Sequence, residues 1–197
     1  LKIKDIYKDD TVSQEDAETV IFSLEYASQL VPDKYKRKIK PVTLLIRSAD
    51  TELTSCSTVE EDEFTIVLNL RKNNIMQTAE AFHEYLHLVE KSNKSILERS
   101  NDFLRKRIIS NKKEKLATLS KKYNIDFSPL AKDVIVYPGR FIDSYIGRTY
   151  GDLDTQELVP TEVLSVGGEN LFLDPIGLFI KDRAHFDLLC DLLFERL

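Results

Sequence analysis

Between residues 72 and 97 the chain runs without glycine or proline, and its apolar residues Ile75, Ala79, Phe82, Leu86 and Val89 recur at spacings of four and three. That is the period of one helix face, so the stretch is predicted to be an amphipathic helix with this stripe against the core. A neighbouring stripe reads Met76, Glu80, His83, His87 and Glu90. Upstream, Ser13 followed by Asp16 predicts a helix cap. Val20, Ile21, Leu24, Ala27 and Leu30 then form an apolar face that ends before Pro32. Residues 42–46 and 64–70 are rich in branched side chains and read as strands, the second leading directly into the 72–97 helix.

Downstream the pattern is helical. Helices are predicted over 94–109 and 112–123, and residues 127–150 carry no clear period. A further helix begins near Pro160, a residue favoured at a first helical position, and runs to Glu169 with an interruption at Gly167-Gly168. The last helix, 182–196, is amphipathic through Phe186, Leu189, Cys190 and Leu193. Strands first and helices afterwards imply an α+β fold. Its N-terminal part, 1–74, supplies a helix and strands, and 75–197 supplies further helices. At 197 residues without a break in composition, a single domain is expected.

Composition narrows the partners. A net charge of −5 disfavours a general nucleic-acid surface. Basic residues do cluster at 34–40 and 105–122, the second cluster interrupted by Ile108, Ile109, Leu116 and Leu119 at helical spacing, as on the solvated face of a helix. Cys56 and Cys190 stand far apart with no CxxC, so neither a disulfide framework nor a cysteine metal site is expected, and a reduced compartment fits. No stretch has the length of a membrane span, and the charged opening 1–10 is not a secretory signal. We therefore expect a cytoplasmic protein. The start at Leu1 fits an excised domain or a processed product.

The second stripe holds the chemistry. His83-Glu84-Tyr85-Leu86-His87 is an HExxH sequence and uses two of the three histidines. On a helix, positions i and i+4 share a face, so both imidazoles can reach one cation, while Glu84, about 100° away, can hold a water at the metal without ligating it. Glu80 and Glu90, a turn to either side, are placed to orient the imidazoles. A structural histidine pair is the principal alternative. A catalytic zinc usually takes three protein ligands. A glutamate about twenty residues past the second histidine is excluded, because Arg105, Lys106 and Arg107 fill that window. HExxHxxGxxH is excluded because Lys91, Ser92 and Asn93 follow Glu90. Glu162 is the best candidate, sharing a helix face with Ser165 and Glu169. Glu157 and His185 remain alternatives, and a glutamate is also favoured in a first helical turn by the dipole alone.

Residues 141–173, with Phe141-Ile142-Asp143-Ser144-Tyr145-Ile146-Gly147-Arg148, then Tyr150, then Thr161-Glu162-Val163-Leu164-Ser165-Val166-Gly167, resemble the C-terminal half of a group of metallopeptidase-like domains of phage-related and bacterial proteins. Some of these are joined to phage head-morphogenesis modules. The resemblance covers roughly residues 75–195 by order of motifs. Where that group often has glycine before the second histidine, this chain has Leu86. The resemblance implies a small zincin-like domain with a gluzincin arrangement, in which His83, His87 and Glu162 hold Zn2+. Glu84 would then act as general base in peptide-bond hydrolysis. A second donor for the developing oxyanion would come from Tyr145, Tyr150, Arg148 or Arg140, with Tyr145 preferred over Tyr150. The partner expected is a peptide or protein substrate, with neither nucleic acid nor membrane. An exposed edge of the 64–70 strand could align it. The competing expectations are an inactive metal-binding structural or interaction module, and a toxin-like or host-directed protease domain of a larger polypeptide.

Overall fold

The structure is a computed structural model that describes residues 1–49, 56–60, 63–71, 73–110, 112–123, 134–151, 153 and 157–194. Strands β1 (Ile3–Lys8), β2 (Val42–Arg47), β3 (Cys56–Glu60) and β4 (Glu63–Asn69) form one sheet in the order β1-β2-β4-β3. The first three neighbours run parallel, and β3 pairs antiparallel with β4. In β2 the buried residues alternate, and the register sets Val42 beside Phe64, Leu44 beside Ile66 and Ile46 beside Leu68. These three pairs form the apolar inner face of the sheet, as period-two patterning requires.

That face is covered by α1 (Gln14–Gln29) and α3 (Asn74–Ser92), whose buried side chains join it in one core with Leu189, Leu192 and Leu193 of α8 (Arg183–Leu193). The cap on α1 is as expected, with Ser13 Oγ accepting from Asp16 N at 3.0 Å. Asn73 caps α3, and buried Gln77 ties the helix to the end of β4, donating to Asn69 O and accepting from Arg71 N. The other elements are the short α2 (Asp33–Lys36), α4 (Lys94–Arg107), α5 (Leu116–Tyr123), α6 (Val163–Leu173), α7 (Pro175–Lys181) and a small ribbon of β5 (Glu114–Lys115) with β6 (Ile135–Val136). The fold is α+β with a mostly helical C-terminal half.

Several boundaries differ from expectation. Ile75 is 61% exposed and Met76 45%, because the first turn of α3 projects past the core; the stripe is buried only from Ala79 onward. Strand β4 has no free edge, since β2 occupies one side and β3 the other. Helix α6 starts at Val163 rather than near Pro160, whose carbonyl accepts from Tyr150 N in an extended pairing. Gly167 and Gly168 do not interrupt it. A Cβ on Gly168 would stand 2.1 Å from Leu86 Cδ1, and one on Gly167 would stand 2.4 Å from His185 Nε2, so these glycines let α6 lie close on α3 and α8. The last helical stretch is capped by Asp182, and residue 196, like 127–133 of the unassigned stretch, lies outside the described residues.

The close approach makes a prediction. Gly167→Ala is expected to lower stability by about 1–3 kcal/mol through overpacking, outweighing the roughly 1 kcal/mol of helix propensity that alanine gains. The imidazole it would displace is pinned by its own hydrogen bond to Val163 O. Thermal unfolding against the wild type measures it, and an unchanged or raised midpoint would refute the packing role.

Candidate metal centre

Helix α3 presents His83 and His87 on one face with ring centroids 4.9 Å apart, and α6 brings Glu162 to them from its N-terminal end. His83 Nε2 lies 3.4 Å and His87 Nε2 3.2 Å from the same oxygen, Glu162 Oε2, and the three atoms lie within 4.8 Å of one another. Ligand atoms about 2.0–2.1 Å from a tetrahedral zinc are separated by roughly 3.3 Å. These two separations match that edge length, and the donor set of two imidazole nitrogens and a carboxylate oxygen suits a metal ion. The three residues thus form a cluster able to hold one. Glu162 is 1% exposed, which places its charge where only a cation or strong donors make it tolerable.

Those donors are present. Tyr150 donates its hydroxyl to Glu162 Oε1 at 2.7 Å and Ser165 donates to Oε2 at 2.7 Å. Burial pushes the Glu162 carboxyl up, but His87 and His83, with the Ser165 hydrogen bond, overcome it and hold the group at about 2. His83 Nδ1 donates to Glu169 Oε2 at 3.0 Å, which turns Nε2 toward Glu162 and the cluster. Burial lowers the proton affinity of His83. The Glu169 hydrogen bond and the charges of Glu162, Glu84 and Glu169 more than reverse this, so the metal-free imidazole titrates at about 9.

The remaining expected residues sort by position. Glu84 is buried beside the histidines; among the described residues its Oε2 has no hydrogen-bond partner, and burial raises its carboxyl above the usual range despite the opposing pull of both imidazoles. Tyr145 accepts a hydrogen bond from Arg148 Nη1, and burial followed by the charge of Glu162 pushes its phenol up to about 12. Tyr150 rather than Tyr145 contacts a cluster member directly, and it stands edge-on to the His87 ring with centroids 5.8 Å apart. The Arg148 guanidinium lies over the Tyr150 ring at 4.7 Å, with Nη1 3.8 Å from Glu162 Oε1. Arg140 is an exposed residue whose backbone N–H donates to Arg107 O. Glu157 is exposed and outside the cluster. His185 is also outside it. Fully buried, it donates from Nε2 to Val163 O at 2.9 Å, and burial pushes its imidazole down to about 4.

Neither flanking acid orients an imidazole. Glu80 binds Arg71 through both oxygens, and Glu90 gives both of its oxygens to Thr161. Sequence spacing along α3 could not show this, because the competing partners come from elsewhere in the chain. The acid that does orient His83, Glu169, was legible only as a polar residue on the face of Glu162. The 105–122 basic cluster is partly structural: Arg107 binds both oxygens of buried Asp182, Arg105 donates to Leu153 O and Lys113 to Gly151 O. The side chains of Lys121 and Lys122 lie outside the described residues.

The titration of His83 fixes a pH dependence. Its folded value of about 9 lies above the ordinary 6.5, so in the metal-free protein its contribution to stability is complete below pH 6.5 and is lost as pH rises through 9. A metal must displace that proton, so affinity should climb up to about tenfold per pH unit until pH 9. Melting in EDTA should therefore fall between pH 6.5 and 9 while the stabilisation by added zinc grows. A zinc effect independent of pH over that window would contradict the assignment of His83.

No family model, curated protein or solved structure matches this chain.

Proposed function

We propose that the chain is a zinc-dependent peptidase of gluzincin type, acting on peptide or protein substrates. The observation that carries the reading is the convergence of His83 Nε2, His87 Nε2 and Glu162 Oε2 beside a buried Glu84 oxygen with no hydrogen-bond partner among the described residues. The resemblance to metallopeptidase-like domains of phage-related and bacterial proteins points the same way. A zinc ion held by the three side chains would supply Lewis acidity, lowering the pKa of water at its open position and polarising a substrate carbonyl.

The chain's own groups supply the rest. Glu84 Oε2 accepts a proton from the attacking water and returns it to the departing amine, so that peptide plus water yields acid and amine. A carboxyl whose pKa burial has raised above the usual carboxylate range is suited to both halves of that transfer. Glu169 keeps His83 in the tautomer with Nε2 available. Tyr145, Tyr150 and Arg148 surround Glu162 and provide O–H and N–H donors for charge developing on the carbonyl oxygen. The outer edge of β3, unpaired among the described residues, can take an extended peptide by strand addition. Incubation of the zinc-loaded protein with a mixed peptide library, read by mass spectrometry, tests the function. Cleavage that EDTA abolishes and zinc restores is expected; intact peptides under all conditions would leave a non-catalytic metal site and overturn the proposal.

A further inference from the structure

Glu90 sits on α3 three residues beyond His87 and is 1% exposed. A carboxylate so enclosed must find donors. Two come from one residue: Oε2 accepts from Thr161 N at 2.8 Å, and Oε1 accepts from Thr161 Oγ1 at 2.7 Å, while the Ser100 hydroxyl also stabilises the charged form. Thr161 is fully buried, and its hydroxyl oxygen also accepts from Val163 N at 3.2 Å. The residue between these two anchored amides is Glu162, which caps α6 without using its own side chain, so its carboxylate is free to enter the cluster.

We propose that Glu90 is a positioning residue for the metal centre, a role that presupposes His83, His87 and Glu162 as ligands. By gripping Thr161 it fixes the backbone that carries the third ligand at a set place relative to the first two. One helix then carries two imidazoles and the clamp for the carboxylate arriving from another element. A merely structural role, holding α6 against α3, is already served by the contact of Gly168 with Leu86 and Phe82. The clamp acts at the end of α6 where the ligand lies.

The two roles separate by measurement. Zinc dissociation constants are obtained by competition with a chromophoric chelator at fixed pH, and melting in EDTA reports the metal-free fold. Glu90→Ala should weaken zinc binding about 10- to 100-fold, the range for partners that orient metal ligands. Glu90→Gln should stay near the wild type, because its carbonyl can accept from Thr161 N and its amide can donate to Thr161 Oγ1. Should Glu90→Ala fail to fold, Thr161→Val removes the hydroxyl arm, together with its bond from Val163 N, and should still weaken zinc binding. A folded Glu90→Ala or Thr161→Val protein with wild-type zinc affinity would overturn the proposal. So would Glu90→Gln binding as poorly as Glu90→Ala. A wild-type protein that binds no zinc would instead overturn the metal-site reading on which this role stands.

Discussion

Replacing Glu84 by glutamine is expected to cut peptide turnover about 100- to 10,000-fold, the usual contribution of a positioned general base, while one zinc ion per chain is retained. The reason lies in what Glu84 does not touch. It is absent from the His83, His87 and Glu162 cluster, yet it is buried next to it with an oxygen that has no hydrogen-bond partner among the described residues. Glutamine has the same size and no charge, and burial already disfavours the charged form of Glu84, so the fold should tolerate the change. Turnover and metal content measured on the same preparation separate chemistry from binding. Loss of zinc together with activity would mean that Glu84 supports the site instead of acting in it. Unchanged turnover would remove it from the mechanism.

Glu162→Ala should have the largest effect on the centre itself. The substitution removes one of the three proposed ligands, so zinc affinity should fall by more than the roughly 100-fold ceiling for outer partners. It also strips the acceptor from the Tyr150 and Ser165 hydroxyls and takes away the carboxylate that the two imidazoles share. Ser165 is buried, and a buried donor left without an acceptor costs about 1–3 kcal/mol, so the metal-free protein should melt earlier as well. His83 should lose part of its elevated proton affinity, because Glu162 is among the charges that raise it. The alkaline fall in metal-free stability should then still begin near pH 6.5 but end at lower pH and be smaller. Glu162→Gln, which can still accept from Tyr150, should recover stability without recovering zinc. Zinc binding at wild-type strength in either variant would mean that the third ligand is another residue.

The parts of this protein that were legible in its sequence are those whose signal is local. The α1 cap at Ser13, the branched runs of β2 and β4, and the helical period around HEYLH each depend on neighbours a few residues away. Strand β1 was missed because its face is mostly exposed and so has no clean alternation, and β3 because it is a short strand at the sheet edge. Pro160 gave a plausible helix start, but its segment is held extended by Tyr150, a partner no propensity encodes. Gly167 and Gly168 looked like a break because a backbone rule for glycine says nothing about a helix lying against it. At the site, the HExxH spacing placed His83, Glu84 and His87, and the shared face of Glu162, Ser165 and Glu169 is realised as ligand candidate, hydroxyl donor and imidazole acceptor. The use of Glu90 on Thr161 joins elements 71 residues apart and was therefore invisible.

X-ray absorption at the zinc edge of the purified, zinc-loaded protein tests the central claim most directly. The account predicts a four-coordinate ion with two imidazole nitrogens and two oxygens at about 2.0–2.2 Å, one oxygen from Glu162 and one exchangeable, and no sulfur. A sulfur scatterer at about 2.3 Å, or a spectrum lacking imidazole, would place the metal elsewhere and contradict it.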